Sequence, residues 1–294
     1  MNVLVLGARG QLGRALEDAC PGDVEMTGFG HADLDITDAG SLERAVRRHR
    51  PAVIVNAAAF TAVDAAESNV DAAAAVNTHG AENIAKTAAA YGSRVIHIST
   101  DFVFDGAAEA PYRPVSPTHP ISAYGRTKRD GERAVLETMP TGAVILRTAW
   151  LYGEFGSNFV TTMLSLMSRR SEISVVTDQT GSPTWTGSLA DIVWRFCATP
   201  AAHGVYHWTD FGTVSRYDFA VAIRDEALEI GLIKEKTRIL ESTSDAFASA
   251  ARRPAYSVLD SAATADLLGR PQDPYRENLR RMLARLKTRC PDCS

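Results

Sequence analysis

The 294-residue chain has 45% hydrophobic and 22% charged residues, the proportions of an ordinary globular protein with material for one large domain or two smaller ones. A formal net charge of −4 gives no general attraction to nucleic acid or to an anionic membrane, and no apolar run reaches the length of a membrane span. The chain enters a strand-like run at Asn2 with no basic region and cleavage site ahead of it, so the cytoplasm is the expected compartment.

In chain order, residues 3–6 read as a short apolar strand, 7–13 as a glycine-rich turn and 11–19 as a helix. A second strand is expected at 24–27, and a helix at 41–49 with Ser41 as its candidate cap. Residues 53–56 form a buried strand, 72–91 an alanine-rich helix, 95–99 a strand, 123–136 a helix and 143–147 a strand. The stretch 107–120, rich in proline and polar residues, is a loop. Beyond 150 the pattern loosens: helices at 158–169, 188–198, 217–230 and 277–286, and strands at 173–177 and 204–208. Strands alternating with helices imply a parallel sheet covered on both faces.

Cys20 and Cys197 lie in unremarked segments and read as small core or surface residues. Cys290 and Cys293 form a C-x-x-C without a second such pair or a nearby histidine pair, so a mobile tail is expected there and no metal site is assigned.

Gly7, Gly10 and Gly13 are spaced G-x-x-G-x-x-G between a strand and a helix. In that context the first glycine permits a tight turn, the second a close approach to a pyrophosphate, and the third helix–sheet packing. The helix N-terminus then offers free N–H groups to phosphate. The segment 26–31, where an acidic residue for the adenine ribose is usual, holds neither carboxylate nor arginine. NAD and NADP therefore both stay open, with Arg9 or Arg14 available to a 2′-phosphate. Asp35 is a candidate adenine contact and equally a turn or capping aspartate.

The resulting architecture is α/β: a Rossmann-type doubly wound parallel sheet with a smaller C-terminal α/β substrate lobe. The dinucleotide-binding domain is expected over 1–150, with 184–208 returning to it, and the substrate lobe over 151–183 and 209–294.

Tyr124 and Lys128 form Y-x-x-x-K, four apart on a helix and so on one face. An ammonium beside a phenol lowers the phenol's pKa, and the tyrosine can then give a proton to a developing alkoxide. Lys128 can also hydrogen-bond a nicotinamide ribose. Thr100 follows the strand 95–99, at the carboxyl end that faces the crevice of a parallel sheet, where its hydroxyl can polarise a substrate carbonyl.

Over roughly residues 1–285 the sequence resembles the extended short-chain dehydrogenase/reductases and, within them, the dTDP-4-dehydrorhamnose reductase family. The resemblance rests on 7–13, 55–64, the S-T-D-x-V-F-D-G block at 99–106, 124–128, 147–153, 158–159, the D-Q-x-G-x-P-T block at 178–184, and Arg253-Pro254. It implies hydride transfer from NADPH or NADH to C4 of dTDP-4-dehydro-L-rhamnose, giving dTDP-L-rhamnose. It makes Thr100, Tyr124 and Lys128 the catalytic triad, with Tyr124 the proton donor. Gly7, Gly10, Gln11, Leu12, Gly13, Asp35, Ile36, Ala57, Ala58 and Ala59 would line the dinucleotide, together with Tyr124 and Lys128. Thr100, Asp101, Trp150, Asn158 and Arg253 would contact the sugar nucleotide, Arg253 as a diphosphate clamp for which Arg252 and Arg270 compete. The family usually has tyrosine after the T-D pair; here Phe102 keeps a ring and lacks the hydroxyl. Some family members use magnesium, for which no motif places ligands. A homodimer is compatible with the reading.

Two other functions fit the same fold. A nucleotide-sugar epimerase or dehydratase would retain tightly bound NAD. A non-catalytic dinucleotide-binding regulatory subunit would have no need of Thr100, Tyr124 and Lys128 together.

Overall fold

In the computed structural model, which describes residues 1–234 and 236–289, the chain starts with β1 (Asn2–Leu6), α1 (Gln11–Asp18), β2 (Glu25–Phe29), α2 (Ala39–His49) and β3 (Val53–Asn56). Next come α3 (Val63–Ser68), α4 (Val70–Ala74), a π-helical turn (Ala75–Gly80) and α5 (Ala81–Tyr91). β4 (Arg94–Thr100) runs into a 3-10 turn (Asp101–Val103), and α6 (Ala123–Thr138) and β5 (Ala143–Thr148) follow. Then come β6 (Leu151–Tyr152), α7 (Phe159–Met167), β7 (Glu172–Val176), β8 (Thr180–Gly181), β9 (Thr184–Trp185), α8 (Thr186–Cys197) and β10 (Gly204–His207). The last elements are β11 (Val214–Ser215), α9 (Arg216–Glu229), β12 (Arg238–Ser242), α10 (Ala262–Leu268) and α11 (Tyr275–Arg289).

β1 to β5 and β10 form a six-stranded sheet in the order β10-β5-β4-β3-β1-β2, every neighbour parallel. Alternation along each strand feeds two cores. Val3, Val5, Val53, Val55 and Leu146 pack on one face with Leu12 and Leu16 of α1 and Leu189 and Val193 of α8. Leu4, Leu6, Ile54 and Ile145 pack on the other with Leu42, Ile84 and Val135 of α2, α5 and α6. Strands buried on both faces are the mark of a doubly wound sheet of the Rossmann type. Strand order reverses between β1 and β3, and the crevice beyond their carboxyl ends is where such sheets take ligands. A third core, built on Tyr152, Val160, Met163, Phe219, Ile223, Leu279 and Met282, gathers α7, α9 and α11 beside the sheet.

Several local details depart from the sequence reading. α2 begins at Ala39, and its cap is Asp38, whose carboxylate accepts from the N–H groups of Gly40 and Ser41; an aspartate upstream outcompetes the Ser41 hydroxyl. The expected helix at 72–91 is broken by the π-helical turn, which swings Asn77 inward. Its Oδ1 accepts from Phe60 N at 2.8 Å, and its Nδ2 donates to Phe60 O and to Thr127 Oγ1. Such inserted turns often mark functional sites, and this one fixes the loop after β3. The two-residue strands, β12 and α10 carry too little periodicity to be read. Among the described residues no helix is long and apolar enough to cross a membrane. Cys290 and Cys293 lie outside the described residues.

Candidate active site

The glycine turn leaves β1 at the switch point. Gly7 has φ +81°, a left-handed conformation that favours glycine, and a Cβ there would lie 2.6 Å from Ala58 N and 2.7 Å from Ala57 O. The turn and the Ala57–Ala59 segment therefore touch backbone to backbone. Gly10 is the N-cap of α1 and provides no side-chain cap, so the first N–H groups of α1 are left for a ligand. That cradle fits a pyrophosphate. Leu12 and Ile36 bury their side chains in the two sheet cores, so only their main chain is available to a dinucleotide. Asp35 Oδ1 accepts from Thr37 N and Thr37 Oγ1, closing a turn ahead of α2. A carboxylate does stand beyond β2: Asp33 folds back, its Oδ2 accepting from Gly30 N at 2.9 Å and facing Arg9 Nε at 4.0 Å. The loop reversal that brings it there has no periodic signature.

Thr100 ends β4, its neighbour Asp101 opening the 3-10 turn. Thr100 Oγ1 donates to Asp101 Oδ1 at 3.0 Å and accepts from Phe102 N. Burial pushes the Asp101 carboxyl up to about 6, against the pull of Thr100 and the Arg216 guanidinium. α6 crosses directly over this turn because residue 125 is glycine; a Cβ there would meet Phe102 O at 2.1 Å. Ser122 caps the helix by accepting from Gly125 N. Tyr124 is thereby set beside Thr100, its ring edge-to-face with Phe102 at 5.6 Å.

Lys128, one turn along α6, is fully buried and does not act on Tyr124 as the sequence suggests. Its Nζ donates to Ile98 O at 2.7 Å and lies 3.3 Å from His97 Nε2. Burial pushes Tyr124 up to about 12, with the Thr100 hydroxyl opposing and Asp101 adding to the rise. The phenol is therefore a protonated donor at neutral pH. Burial lowers Lys128 to about 8, with Glu132 opposing, and holds His97 well below its ordinary value, helped by Lys128. His97 escaped the sequence reading; a histidine inside an otherwise apolar strand is the signal that would have found it.

Trp150 lies just past β5 with φ +47°, strained for a bulky residue. One face of its indole is covered by the Arg216 guanidinium, 3.6 Å from the ring centroid, which leaves the rest of the ring and its Nε1–H for the expected sugar contact. Asn158 caps α7, accepting from Thr161 N; its Nδ2 donates to Gly153 O and to Oε1 of Gln11, tying the glycine turn to the second group of helices. Arg253 is no free clamp: its Nη2 pairs with Asp64 at 2.6 Å, and that hydrogen bond is the main reason the carboxylate falls to about 2. Among the described residues no group of three or more His, Cys, Asp or Glu side chains is arranged to hold a metal ion, and no residue is assigned to magnesium.

The family model described as RmlD substrate binding domain matches residues 1–288. The chain is 44% identical over 261 residues to a probable dTDP-4,6-dihydroxy-2-methyloxan-3-one 4-ketoreductase of Streptomyces antibioticus, covering 88% of this chain and 86% of that one. It is 44% identical over 265 residues to a dTDP-4-dehydrorhamnose reductase of Streptomyces griseus, covering 87% of this chain and 84% of the relative. Its structure superposes on the dTDP-4-dehydrorhamnose reductase of Bacillus anthracis in complex with NADP with a TM-score of 0.90 at 35% identity, over 97% of this chain and 99% of that one.

Proposed function

This chain belongs to the RmlD substrate binding domain family, and from that we propose that it reduces the C4 keto group of dTDP-4-dehydro-L-rhamnose to give dTDP-L-rhamnose, using NADPH or NADH. The observation that carries the reading is the convergence of Thr100, Tyr124 and Lys128 beside a glycine turn at the switch point of the sheet. The glycine turn and Ala57–Ala59 would hold a reduced nicotinamide dinucleotide, whose chemistry there would be donation of a hydride to C4. Thr100 Oγ donates a hydrogen bond to the carbonyl oxygen and polarises it. Tyr124 releases its hydroxyl proton to the same oxygen as negative charge develops, leaving the alcohol and a phenolate. In the free chain the Lys128 ammonium is turned to Ile98 O and away from Tyr124; turned instead to a nicotinamide ribose, its charge would favour the phenolate. Gly7, Gly10, Gln11, Gly13 and Ala57–Ala59 hold the dinucleotide through main chain and close packing, and Asp101 orients the sugar. The enzyme works in the cytoplasm, and a homodimer is compatible with this reading.

The test is cofactor absorbance followed with enzymatically generated dTDP-4-dehydro-L-rhamnose and, separately, with the keto-sugar named for the Streptomyces antibioticus relative. Oxidation of NADPH or NADH with dTDP-L-rhamnose as product supports the reading. Turnover of the second sugar alone reassigns the substrate. A purified protein carrying stoichiometric NAD and unable to oxidise added NADPH overturns it in favour of an epimerase or dehydratase.

A further inference from the structure

Arg216 is the first residue of α9, directly after the N-cap Ser215. A helix N-terminus carries partial positive charge, so a cation in the first turn is disfavoured by about 0.3–1 kcal/mol. The placement is nonetheless rigidly built. The guanidinium lies over the Trp150 ring at 3.6 Å and 4.9 Å from the centroid of the Phe159 ring. The Arg216 main-chain N–H donates to Gln179 O at 3.0 Å. Among the described residues no carboxylate stands within 4.0 Å of it, in contrast to Arg253 on Asp64 and Arg270 on Asp191. Asp101 attracts Arg216 and Arg253 repels it, so all three charges face one region at the end of β4. Asp64 neutralises Arg253, whereas Asp101, pushed up to about 6 by burial, attracts Arg216 without lying within ion-pair distance of it, which leaves the guanidinium without a direct carboxylate partner.

A stacked, planar guanidinium without a carboxylate is suited to a bidentate anion. The anion that a nucleotide-linked sugar brings to this region is its diphosphate. We propose that Arg216, held flat against Trp150, binds the diphosphate of the substrate. This rests on the reading that the substrate is a dTDP-linked sugar. It makes Trp150 the platform that orients the arginine, and it explains why a cation is kept at a helix N-terminus.

The experiment is titration calorimetry of the full chain with dTDP, which has the diphosphate and no reacting sugar, and with NADPH. Parent, Arg216→Met and Arg216→Lys are compared; methionine keeps the apolar stem against the rings and removes the charge. The expected result is a dTDP Kd weakened by about ten- to a hundredfold in Arg216→Met, the usual range for losing a charge-assisted contact. Arg216→Lys falls between, the Kd for NADPH does not move, and the salt dependence of dTDP binding becomes shallower in Arg216→Met. The KM for the keto-sugar rises with the dTDP Kd. Equal dTDP affinity in parent and Arg216→Met overturns the proposal and leaves the reductase standing. A parent that neither binds dTDP nor oxidises NADPH with a dTDP-keto-sugar overturns the reductase reading instead, and this proposal with it.

Discussion

Nε2 of His97 sits 3.3 Å behind Nζ of Lys128, inside the protein. The direction of the hydrogen bonds follows from their neighbours. Asn56 Oδ1 accepts from Ala58 N, so Asn56 Nδ2 faces His97 Nδ1 as the donor, at 3.0 Å. The ring hydrogen is thereby assigned to Nε2, pointing at the lysine. A neutral amine accepts that hydrogen; an ammonium meets it head-on. The geometry and the burial both penalise the ammonium form of Lys128 and lower it to about 8, so at neutral pH the charge is carried at a cost.

The consequence is a stability that depends on pH. Lys128 falls from 10.5 to about 8 in the folded chain. Between these values the unfolded chain holds the proton that the folded chain has shed, so stability rises with pH across that window. Below about 8 the buried charge carries its full cost. Lys128→Met should therefore raise the melting temperature of the cofactor-free protein at pH 7, and the gain should shrink to nothing as pH approaches 10.5. Thermal melts across that range check it; a gain independent of pH would show that the lysine is not charged at neutral pH.

Tyr124→Phe should fold normally and bind NADPH as the parent does, because the ring keeps its edge contact with Phe102. Turnover should drop by about 10²–10⁴-fold, the usual worth of a general acid. Single-turnover rates with the keto-sugar decide; near-parental turnover removes Tyr124 as the proton donor.

Asp33 and Arg9 stand together beyond β2, where the adenine ribose of a dinucleotide is expected. The carboxylate accepts from a 2′-hydroxyl and repels a 2′-phosphate, and the guanidinium does the reverse. With both present, the preference between NADH and NADPH should stay under about tenfold, or 1.4 kcal/mol. Asp33→Asn should move it toward NADPH and Arg9→Ala toward NADH. Steady-state kcat/KM for each cofactor is the measurement, and variants that move neither way would place the discriminating group elsewhere.

Arg147 and Glu132 form a bidentate ion pair between β5 and α6, at 2.9 and 2.7 Å, with side chains 5% and 4% exposed. Removing one partner strands a buried charge. Glu132→Gln should lower unfolding free energy by about 3–5 kcal/mol, and the double change Glu132→Gln with Arg147→Met should recover part of it. Denaturant unfolding measures both. A loss under about 1 kcal/mol for the single change would mean that water reaches the arginine.

Legibility followed periodicity. The sheet strands showed as apolar runs, and Tyr124, Lys128 and Thr100 could be brought together from helix spacing and a strand end. What was not readable depends on contacts far apart in sequence. Asn56, His97 and Lys128 lie 41 and 31 residues apart and meet only because β3 and β4 are neighbours under α6. Arg216 had a local signal, a basic residue immediately before the helix expected at 217–230, but its meaning needed Trp150, 66 residues earlier in the chain, whose ring it covers.

Gly181 tests that pairing from behind. It lies in β8, opposite Val214 of β11, the strand that leads into Arg216. A Cβ on Gly181 would come within 2.6 Å of Trp150 Cε2 and 2.8 Å of Nε1. The indole cannot yield easily: its backbone is held at φ +47° and its face carries the guanidinium. Gly181→Ala should therefore displace the ring together with Arg216. Overpacking of this kind lowers stability by about 1–3 kcal/mol. The KM for the keto-sugar should rise while the Kd for NADPH holds, since the glycine turn is untouched. A double-mutant cycle separates this from a general loosening of β8. In a Trp150→Ala background the added methyl meets no ring, so Gly181→Ala should then cost almost nothing in stability and leave KM where Trp150→Ala had set it. Equal losses in both backgrounds would show that the indole is not what the methyl strikes, and that Trp150 does not position the arginine.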